Sequence, residues 1–338
     1  MKSEIKLFWH QKQWSLLKGY QEFPNVVLLT GPEGLGKKIF GIQLGQSLLC
    51  TKSYELGNSC QICRECWLCQ NNAHPDLFAL DSKEEIKIVE IREIIKFISL
   101  APGRAKRKVV FINNAELMNQ SAVNALLKSI EEPNRTSKFI LISRSSEEIL
   151  PTLKSRCQII RFPIPKFDNS MNWLLGNDPK LKRDRAATLL AIAAGAPLGA
   201  LEIQKNSEIE KERSSIIDFL LQIQRKDLNY VSMIPILKKT TDIQKFFQFT
   251  SSFFSDLLIW QFTGKKESLL NQDLTGELKE IGEVLSVKES IKFLAALEKL
   301  HHTYKSSWEN LNFELFLFCF IALLQKHLER TEIEEQKI

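Results

Sequence analysis

A glycine-rich segment, Thr30–Lys38, constrains the fold more than any other part of the chain, because it stands between a short apolar run and a helical pattern. Its glycine, four-residue gap and glycine–lysine pair have the spacing of a phosphate-binding loop. In such a loop, backbone N–H groups and a helix N-terminus cradle phosphate oxygens while the lysine supplies positive charge. The candidate phosphate-binding residues are Gly31, Gly34, Gly36 and Lys37.

The first half of the chain alternates short β-rich runs with amphipathic helical patterns. The runs are Val26–Leu29, Leu77–Leu80, Val109–Ile112, Phe139–Ile142 and Ile159–Phe162. The helical patterns are Lys38–Leu49, Val89–Leu100 and Asn119–Glu131, the last followed by Pro133 as a stop signal. Short apolar runs of this kind are typical of strands buried on both faces. The alternation predicts an α/β domain with a mostly parallel sheet covered on both sides, over residues 1–165.

The second half has a different pattern, with no convincing strand after Pro163-Ile164-Pro165. Short helices punctuated by glycine and proline are expected over 166–207, and longer helices over 208–338. Near the end, the segment around Phe313–Phe320 is apolar on nearly every helical face. Such a helix is expected inside a bundle or against a partner.

Composition excludes several classes of protein. The 338 residues are 44% apolar and 25% charged, which is ordinary for a globular chain. The longest apolar run, Leu315–Leu324, is about half the length that spans a bilayer, and no secretory signal is visible, so we expect a cytoplasmic protein with no membrane partner. The net charge of +6 is spread along the chain, which argues against independent nucleic-acid binding.

Three residues argue against nucleotide hydrolysis. P-loop enzymes hold Mg²⁺ with a hydroxyl just after the loop lysine and with an acid at the end of a neighbouring strand. Here Lys38 takes the hydroxyl position, and Asn113 and Asn114 follow the run Val109–Ile112. An amide is a weak ligand for a hard cation and cannot accept a proton, so we expect neither Mg²⁺ binding nor general-base catalysis. Because the glycines and Lys37 are intact, ATP binding without Mg²⁺ stays an open question, although it is doubtful.

Clustered cysteines predict a metal site. Cys50, Cys60, Cys63, Cys66 and Cys69 lie within twenty residues, and in a reducing compartment this clustering indicates metal binding rather than disulfides. Zinc is favoured over an iron–sulfur cluster, because the cysteine run typical of bacterial iron–sulfur clusters ends in a three-residue gap followed by Cys-Pro, unlike the run here. With all four positions filled by protein, the zinc would be structural. Which four of the five cysteines bind it stays open from spacing alone, and a zinc module that grips nucleic acid is the rival interpretation.

Four features of the first half carry a family resemblance. The strings Val109–Asn119 and Ala122–Pro133, together with Ser155-Arg156-Cys157 and the cysteine cluster, resemble the delta-prime family of bacterial DNA polymerase III clamp-loader subunits. The resemblance implies an AAA+ module, a small helical lid (166–207) and a helical collar (208–338). It also implies a circular pentamer with ATPase subunits (gamma/tau) and a delta subunit, which opens the sliding clamp and loads it on primed DNA during replication.

The resemblance also assigns residue roles. Arg156, flanked by Ser155 and Cys157, would be an arginine finger that reaches ATP bound in the adjacent subunit. Such a finger is worth roughly 10³ to 10⁵ in rate, or about 4 to 7 kcal/mol. A lid arginine that senses phosphate in ATP-binding relatives is replaced by Leu198. The metal ligands implied are Cys50, Cys60, Cys63 and Cys66, in an insertion over about 50–70, with Cys69 a spare thiol.

Two functions therefore compete. The first is a non-hydrolysing clamp-loader subunit, with degenerate Walker motifs, that supplies one arginine across an interface and has no ATPase activity of its own. The second is a self-sufficient P-loop ATPase of another pathway, using an acid such as Glu116.

Overall fold

The structure is a computed structural model that describes residues 7–52, 56–131, 136–206, 208–227, 229–306 and 312–335. The chain divides into two compact units, residues 1–165 and 166–338. The first boundary of the expected division lies at the same point. The expected boundary near residue 207 stays a prediction, since everything after residue 165 belongs to one unit.

The first unit is an α/β layer structure. Its strands are β1 (Val26–Thr30), β2 (Leu77–Asp81), β3 (Lys108–Asn113), β4 (Ser137–Ser143) and β5 (Gln158–Arg161). Its helices are α1 (Gln11–Lys18), α2 (Lys37–Leu49), α3 (Arg64–Gln70), α4 (Ile88–Ser99), α5 (Gln120–Glu131) and α6 (Pro151–Lys154). The predicted runs and helical patterns lie on these elements, except that Leu100, Asn119 and Phe162 each fall one residue outside. Pro133, the expected stop after α5, lies outside the described residues.

All strand pairs in the described sheet are parallel, in the order β2-β3-β4-β1-β5. Helix α2 lies close to one face, where a Cβ on Gly41 would come within 2.7 Å of Phe111. The other face packs against α4 and α5 through a core that includes Leu28, Val110 and Leu141. Because the carboxyl ends of parallel strands share one edge, the phosphate loop after β1 lies at the same edge as the ends of β2, β3 and β4.

The expectation that every strand is buried on both faces is wrong for the two edge strands. The central strands β1, β3 and β4 are almost wholly buried, whereas β2 alternates between half-buried and exposed residues and β5 ends exposed. The physical reason is position, since an edge strand has a neighbour on one side only. Apolar composition alone does not reveal which strand lies at an edge.

The second unit is helical throughout its described residues. Its α-helices are α7 (Phe167–Asn177), α8 (Arg183–Ile192), α9 (Pro197–Lys205), α10 (Glu208–Gln224), α11 (Tyr230–Thr240), α12 (Ile243–Thr263), α13 (Thr275–Val284), α14 (Val287–Ser306) and α15 (Phe313–Glu335). One continuous apolar core joins them, and phenylalanine rings dominate its centre. Phe246 contacts Phe316 and Phe320 of α15 edge to face, the arrangement that aromatic rings prefer.

Neither unit offers a single membrane-spanning helix among the described residues. Helices α8 and α9 pass a length and hydropathy criterion only as a pair bent by 105°. Leu189, Leu190 and Ala200 of this pair are fully buried in the core of the second unit. Packing within the protein therefore accounts for their apolar character.

Candidate functional site

The phosphate loop has a backbone that only glycine adopts without strain. Gly31 has φ 146°, Gly34 71° and Gly36 79°, all in the left-handed region. A Cβ on Gly31 would also lie 2.3 Å from the carbonyl oxygen of Phe162, which follows β5. The loop glycines are therefore required by local geometry, whether or not a phosphate binds.

Lys37 is folded back onto its own loop. Its Nζ donates hydrogen bonds to the carbonyls of Gly31 and Pro32, the second at 2.6 Å. Burial lowers the pKa of the Lys37 ammonium to about 8, although Glu33 and Glu116 oppose that change. The positive charge that a phosphate would use is thus engaged by backbone carbonyls.

The two positions that hold Mg²⁺ in P-loop enzymes both contact one carboxylate here. Lys38 forms an ion pair with Asp81, at the end of β2, and Asn113 Nδ2 donates to the other Asp81 oxygen at 2.7 Å. The hydrogen bond from Lys38 is the main reason that the pKa of Asp81 lies below its usual range. Sequence reasoning missed Asp81, although an acid directly after a predicted strand at this edge was a usable signal.

A second ion pair involves a residue of the phosphate loop. Arg144, directly after β4, lies 2.7 Å from Glu33 of the phosphate loop and 3.6 Å from Glu116, measured from its Nε. Burial raises the pKa of Glu116. Glu116 was the example of an acid that an independent ATPase could use, and the nearby Arg144 guanidinium favours a charge-balancing role for it.

The motif Ser155-Arg156-Cys157 lies between α6 and β5. Arg156 is at the surface, with its side chain 37% exposed, and its Nε donates to Glu131 of α5 at 2.7 Å. Another guanidinium nitrogen donates to the Thr152 carbonyl at 2.7 Å. Burial raises the pKa of the neighbouring Cys157 thiol to about 12, so Cys157 is neutral and Arg156 is the charged group that the motif presents.

Four cysteine sulfurs converge at the opposite end of α2. The Sγ atoms of Cys50, Cys60, Cys63 and Cys66 all lie within 4.8 Å of one another. The Cys50–Cys63 and Cys60–Cys66 separations are 3.8 and 3.9 Å. A tetrahedral Zn²⁺ with Zn–S bonds of about 2.3 Å requires sulfurs about 3.8 Å apart, so the residues fit this ion.

Backbone N–H groups also point at these sulfurs. The N–H groups of Cys60, Cys63 and Cys66 donate to the sulfurs of Cys50, Cys60 and Cys63 at 3.3 to 3.4 Å. Burial raises the pKa of Cys63, but hydrogen bonds from Cys66 and its neighbours outweigh this effect and lower the pKa to about 6. Thiolates are the form that binds metal, so the arrangement favours metal binding.

Cys69 lies outside the group of converging sulfurs. It is the last cysteine of the cluster, on α3, and burial raises the pKa of its thiol to about 12. The structure therefore brings together the four sulfurs that the family resemblance implies as ligands, and Cys69 lies apart from them.

The strand order β2-β3-β4-β1-β5, with a phosphate loop after β1 and a helical second unit, defines a P-loop protein of the α/β class with a second, helical unit. Residues 11–166 match a family model described as DNA polymerase III, delta subunit, and residues 208–326 match its C-terminal counterpart. The chain belongs to the DNA polymerase III delta' family. It is thus a clamp-loader subunit, as the sequence resemblance predicted.

Two related sequences agree with this assignment. DNA polymerase III subunit delta' of Pseudomonas aeruginosa is 29% identical over 280 residues, which cover 81% of this chain and 84% of that protein. The Buchnera aphidicola (subsp. Schizaphis graminum) protein of the same name is 31% identical over 65% of this chain and 67% of its own length. A gamma-subunit-related protein of Thermotoga maritima aligns in structure over 94% of this chain and 98% of its own, at 19% identity and a TM-score of 0.42.

Proposed function

We propose that this chain is the non-hydrolysing member of a cytoplasmic clamp loader. It supports ring assembly with gamma/tau and delta subunits and supplies Arg156 to ATP bound by its neighbour. The assembled complex would then load the sliding clamp on primed DNA. The observation that carries the proposal is the combination of Lys38 and Asn113 at the two Mg²⁺-binding positions with an Arg156 at the surface.

Internal contacts support the absence of hydrolysis. Lys37 is bound to loop carbonyls, Lys38 to Asp81, and Arg144 to Glu33. Each of these three cations, which could otherwise meet a triphosphate, already has a partner within the first unit. With Lys38 and Asn113 at the metal positions, the site also lacks the hydroxyl and the acid that bind Mg²⁺.

The surroundings of Arg156 support a role across an interface. Its partner Glu131 is 45% exposed, and surface pairs of this kind are worth about 0 to 1 kcal/mol. A phosphate offers a guanidinium a stronger, bidentate partner. Breaking the Arg156–Glu131 pair so that Arg156 can bind a neighbour's nucleotide therefore costs little free energy.

The surface of α15 supports assembly. Phe316, Leu317 and Phe320 are buried, whereas Leu315 and Phe318 are each 48% exposed. The exposed residues share a helix face with Cys319 and Ala322, at the i, i+3, i+4 and i+7 spacing. The sequence prediction allowed burial in a bundle or against a partner, and this face suits the second.

Zinc at the cysteine cluster would be structural. Cys50, Cys60, Cys63 and Cys66 would hold it, and with four protein ligands no coordination position is left for water. When bound, the ion ties the segment that follows α2 to α3. The site thus stabilises the first unit and takes no part in nucleotide chemistry.

Reconstituted complexes test the role of Arg156. DNA- and clamp-stimulated ATPase activity should fall by roughly 10³-fold at the site that receives the finger when Arg156→Ala replaces the wild-type chain. Arg156→Lys should restore little, because an ammonium lacks the planar fork. Arg225→Ala is the matched control, since Arg225 also pairs with a surface glutamate, Glu280, and is 54% exposed.

Gel filtration should show that both alanine variants assemble like the wild type. Unchanged turnover in an intact Arg156→Ala complex would refute the finger. The competing ATPase hypothesis requires Mg²⁺-dependent hydrolysis by the isolated chain that is lost in Lys37→Ala. The nucleic-acid hypothesis requires salt-sensitive DNA binding by the isolated chain, which a gel-shift assay at physiological salt detects.

A further inference from the structure

A buried polar network lies beside the cysteine cluster, and neither nucleotide chemistry nor metal binding uses it. It consists of Glu65 on α3, His74 and Asp76 just before β2, and Arg104 before β3. The first three residues are 6%, 4% and 1% exposed. Buried charges are costly unless they are paired and hydrogen-bonded, so these contacts are strongly specified.

Glu65 connects this network to the metal cluster. It lies in the first turn of α3, between Cys63 and Cys66, and the Cys63 sulfur caps that helix by accepting from the Cys66 N–H. Fixing the two flanking sulfurs on one ion fixes the backbone of Glu65 as well. A carboxylate in the first turn is also favoured by the helix dipole.

From this position Glu65 contacts two partners. Its oxygens accept from Arg104 Nε and Nη2 at 3.2 and 2.8 Å, in a bidentate pair. His74 Nε2 lies 2.9 Å from Glu65, while His74 Nδ1 accepts from the Asp76 N–H at 3.0 Å. Because Nδ1 accepts, the ring carries its proton on Nε2, the nitrogen that lies next to the Glu65 carboxylate.

Asp76 completes the connection to the loop before β3. Its carboxylate accepts from the backbone N–H groups of Gly103, Arg104 and Ala105 at 2.7, 2.8 and 2.7 Å. These three residues, which we term the 103–105 loop, open the basic segment that continues to Lys108. The loop is thus bound to the sheet through Asp76 and to the cysteine module through Arg104.

We propose that Glu65 is a positioning residue through which metal binding at the cysteine cluster holds the 103–105 loop in place. Metal loss frees the first turn of α3, and Glu65 then no longer holds Arg104 and His74. The loop loses one of its two attachments, and the Asp76 attachment loses its support from His74. The metal therefore orders a basic segment that contributes no ligand to it.

Amide hydrogen exchange followed by mass spectrometry tests the proposal on the full-length chain. Chelator-stripped protein should exchange the Gly103, Arg104 and Ala105 amides about tenfold faster than metal-loaded protein, because charge-assisted buried contacts are lost. Glu65→Gln and Arg104→Met should give a similar acceleration while the metal content, measured by atomic emission, stays that of the wild type. Arg104 is an exposed residue, so its replacement leaves the core intact.

Arg64→Ala is the matched control, since Arg64 is the exposed neighbour of Glu65 on the same helix. It should leave both exchange and metal content unchanged, and peptides from β4 should be unaffected in every sample. Wild-type exchange of the 103–105 amides after metal removal would overturn the proposal. So would wild-type exchange in a metal-loaded Glu65→Gln variant, because the connection would then not pass through Glu65.

Discussion

Helix α2 has a site at each end, and the two sites differ in what their side chains do. At its N-terminus, Lys37 and Lys38 contact groups of the protein itself. At its C-terminus, Cys50 joins three other sulfurs that point at one another. A polar cluster that satisfies itself has no need of a ligand, whereas four converging sulfurs have the arrangement that binds a tetrahedral cation. The contrast indicates that the phosphate loop keeps its shape through its own contacts, whereas the cysteine cluster keeps a set of residues that could hold a metal ion.

Removing one sulfur should give the largest effect. Cys63→Ser is expected to lower bound zinc from about one ion per chain to nearly none, and to lower the melting temperature, because metal binding contributes to folding directly. Atomic emission and calorimetry measure the two changes. Cys69→Ser should retain the metal, since that sulfur is outside the group. Iron in the wild type, or equal metal loss in both variants, would contradict the assignment.

Gly31→Ala should be nearly as disruptive at the other end of α2. The added Cβ would lie 2.3 Å from the Phe162 carbonyl at a φ of 146°, and we expect a loss of about 3 kcal/mol in the free energy of unfolding. Chemical denaturation measures it without nucleotide present. Gly176→Ala, in α7 with open space around it, should be neutral or stabilising. An equally neutral Gly31→Ala would show that the loop glycines have no structural role.

The pH dependence of stability should report the engaged Lys37. Its pKa is about 8 in the folded protein against 10.5 in the unfolded chain, so the unfolded chain binds more protons between these values. Stability from this group therefore rises with pH across that window, by about 3 kcal/mol in full.

The difference in unfolding free energy between wild type and Lys37→Met isolates this effect, since other groups titrate in both. Measured from pH 7 to pH 10 by urea denaturation, it should shift in favour of the wild type as pH rises. A pH-independent difference would mean that Lys37 is not desolvated, and the contrast between the two ends of α2 would weaken.

The smallest effect is expected at the metal positions of the phosphate loop. Lys38 and Asp81 are 41% and 47% exposed, so Asp81→Asn should cost only about 0 to 1 kcal/mol. Urea denaturation at low and high salt measures it, and salt should reduce the difference further. A loss above about 2 kcal/mol would show that this pair is a structural element rather than a surface charge balance.

Sequence reasoning located most of the fold, because strands and helices leave a periodic pattern that is local. The runs around Val26, Val109 and Phe139 became the central strands, and the glycine spacing placed the phosphate loop between β1 and α2. What it missed depends on the order of strands. An acid directly after the Leu77–Leu80 run was visible in the sequence, but the pairing of Asp81 with Lys38 joins residues 43 positions apart and no local pattern encodes it.

The same limit applies to the candidate sites. Cysteine spacing predicted a metal cluster, yet spacing alone left the choice among five thiols open. The geometry separates Cys69 from the rest. Glu33, Glu65 and Arg144 carried no sequence signal, since a charged residue in a loop is usually solvated. Their partners became visible only once distant segments were brought together.

The close approach of Gly31 to the Phe162 carbonyl has a consequence for how such chains are recognised. A bulkier residue would clash with the backbone that follows β5, so the fold requires this glycine whether or not the chain uses ATP. A count of loop glycines is therefore no evidence that such a chain consumes ATP. The residue that follows the loop lysine and the pair that ends β3 are the better diagnostic.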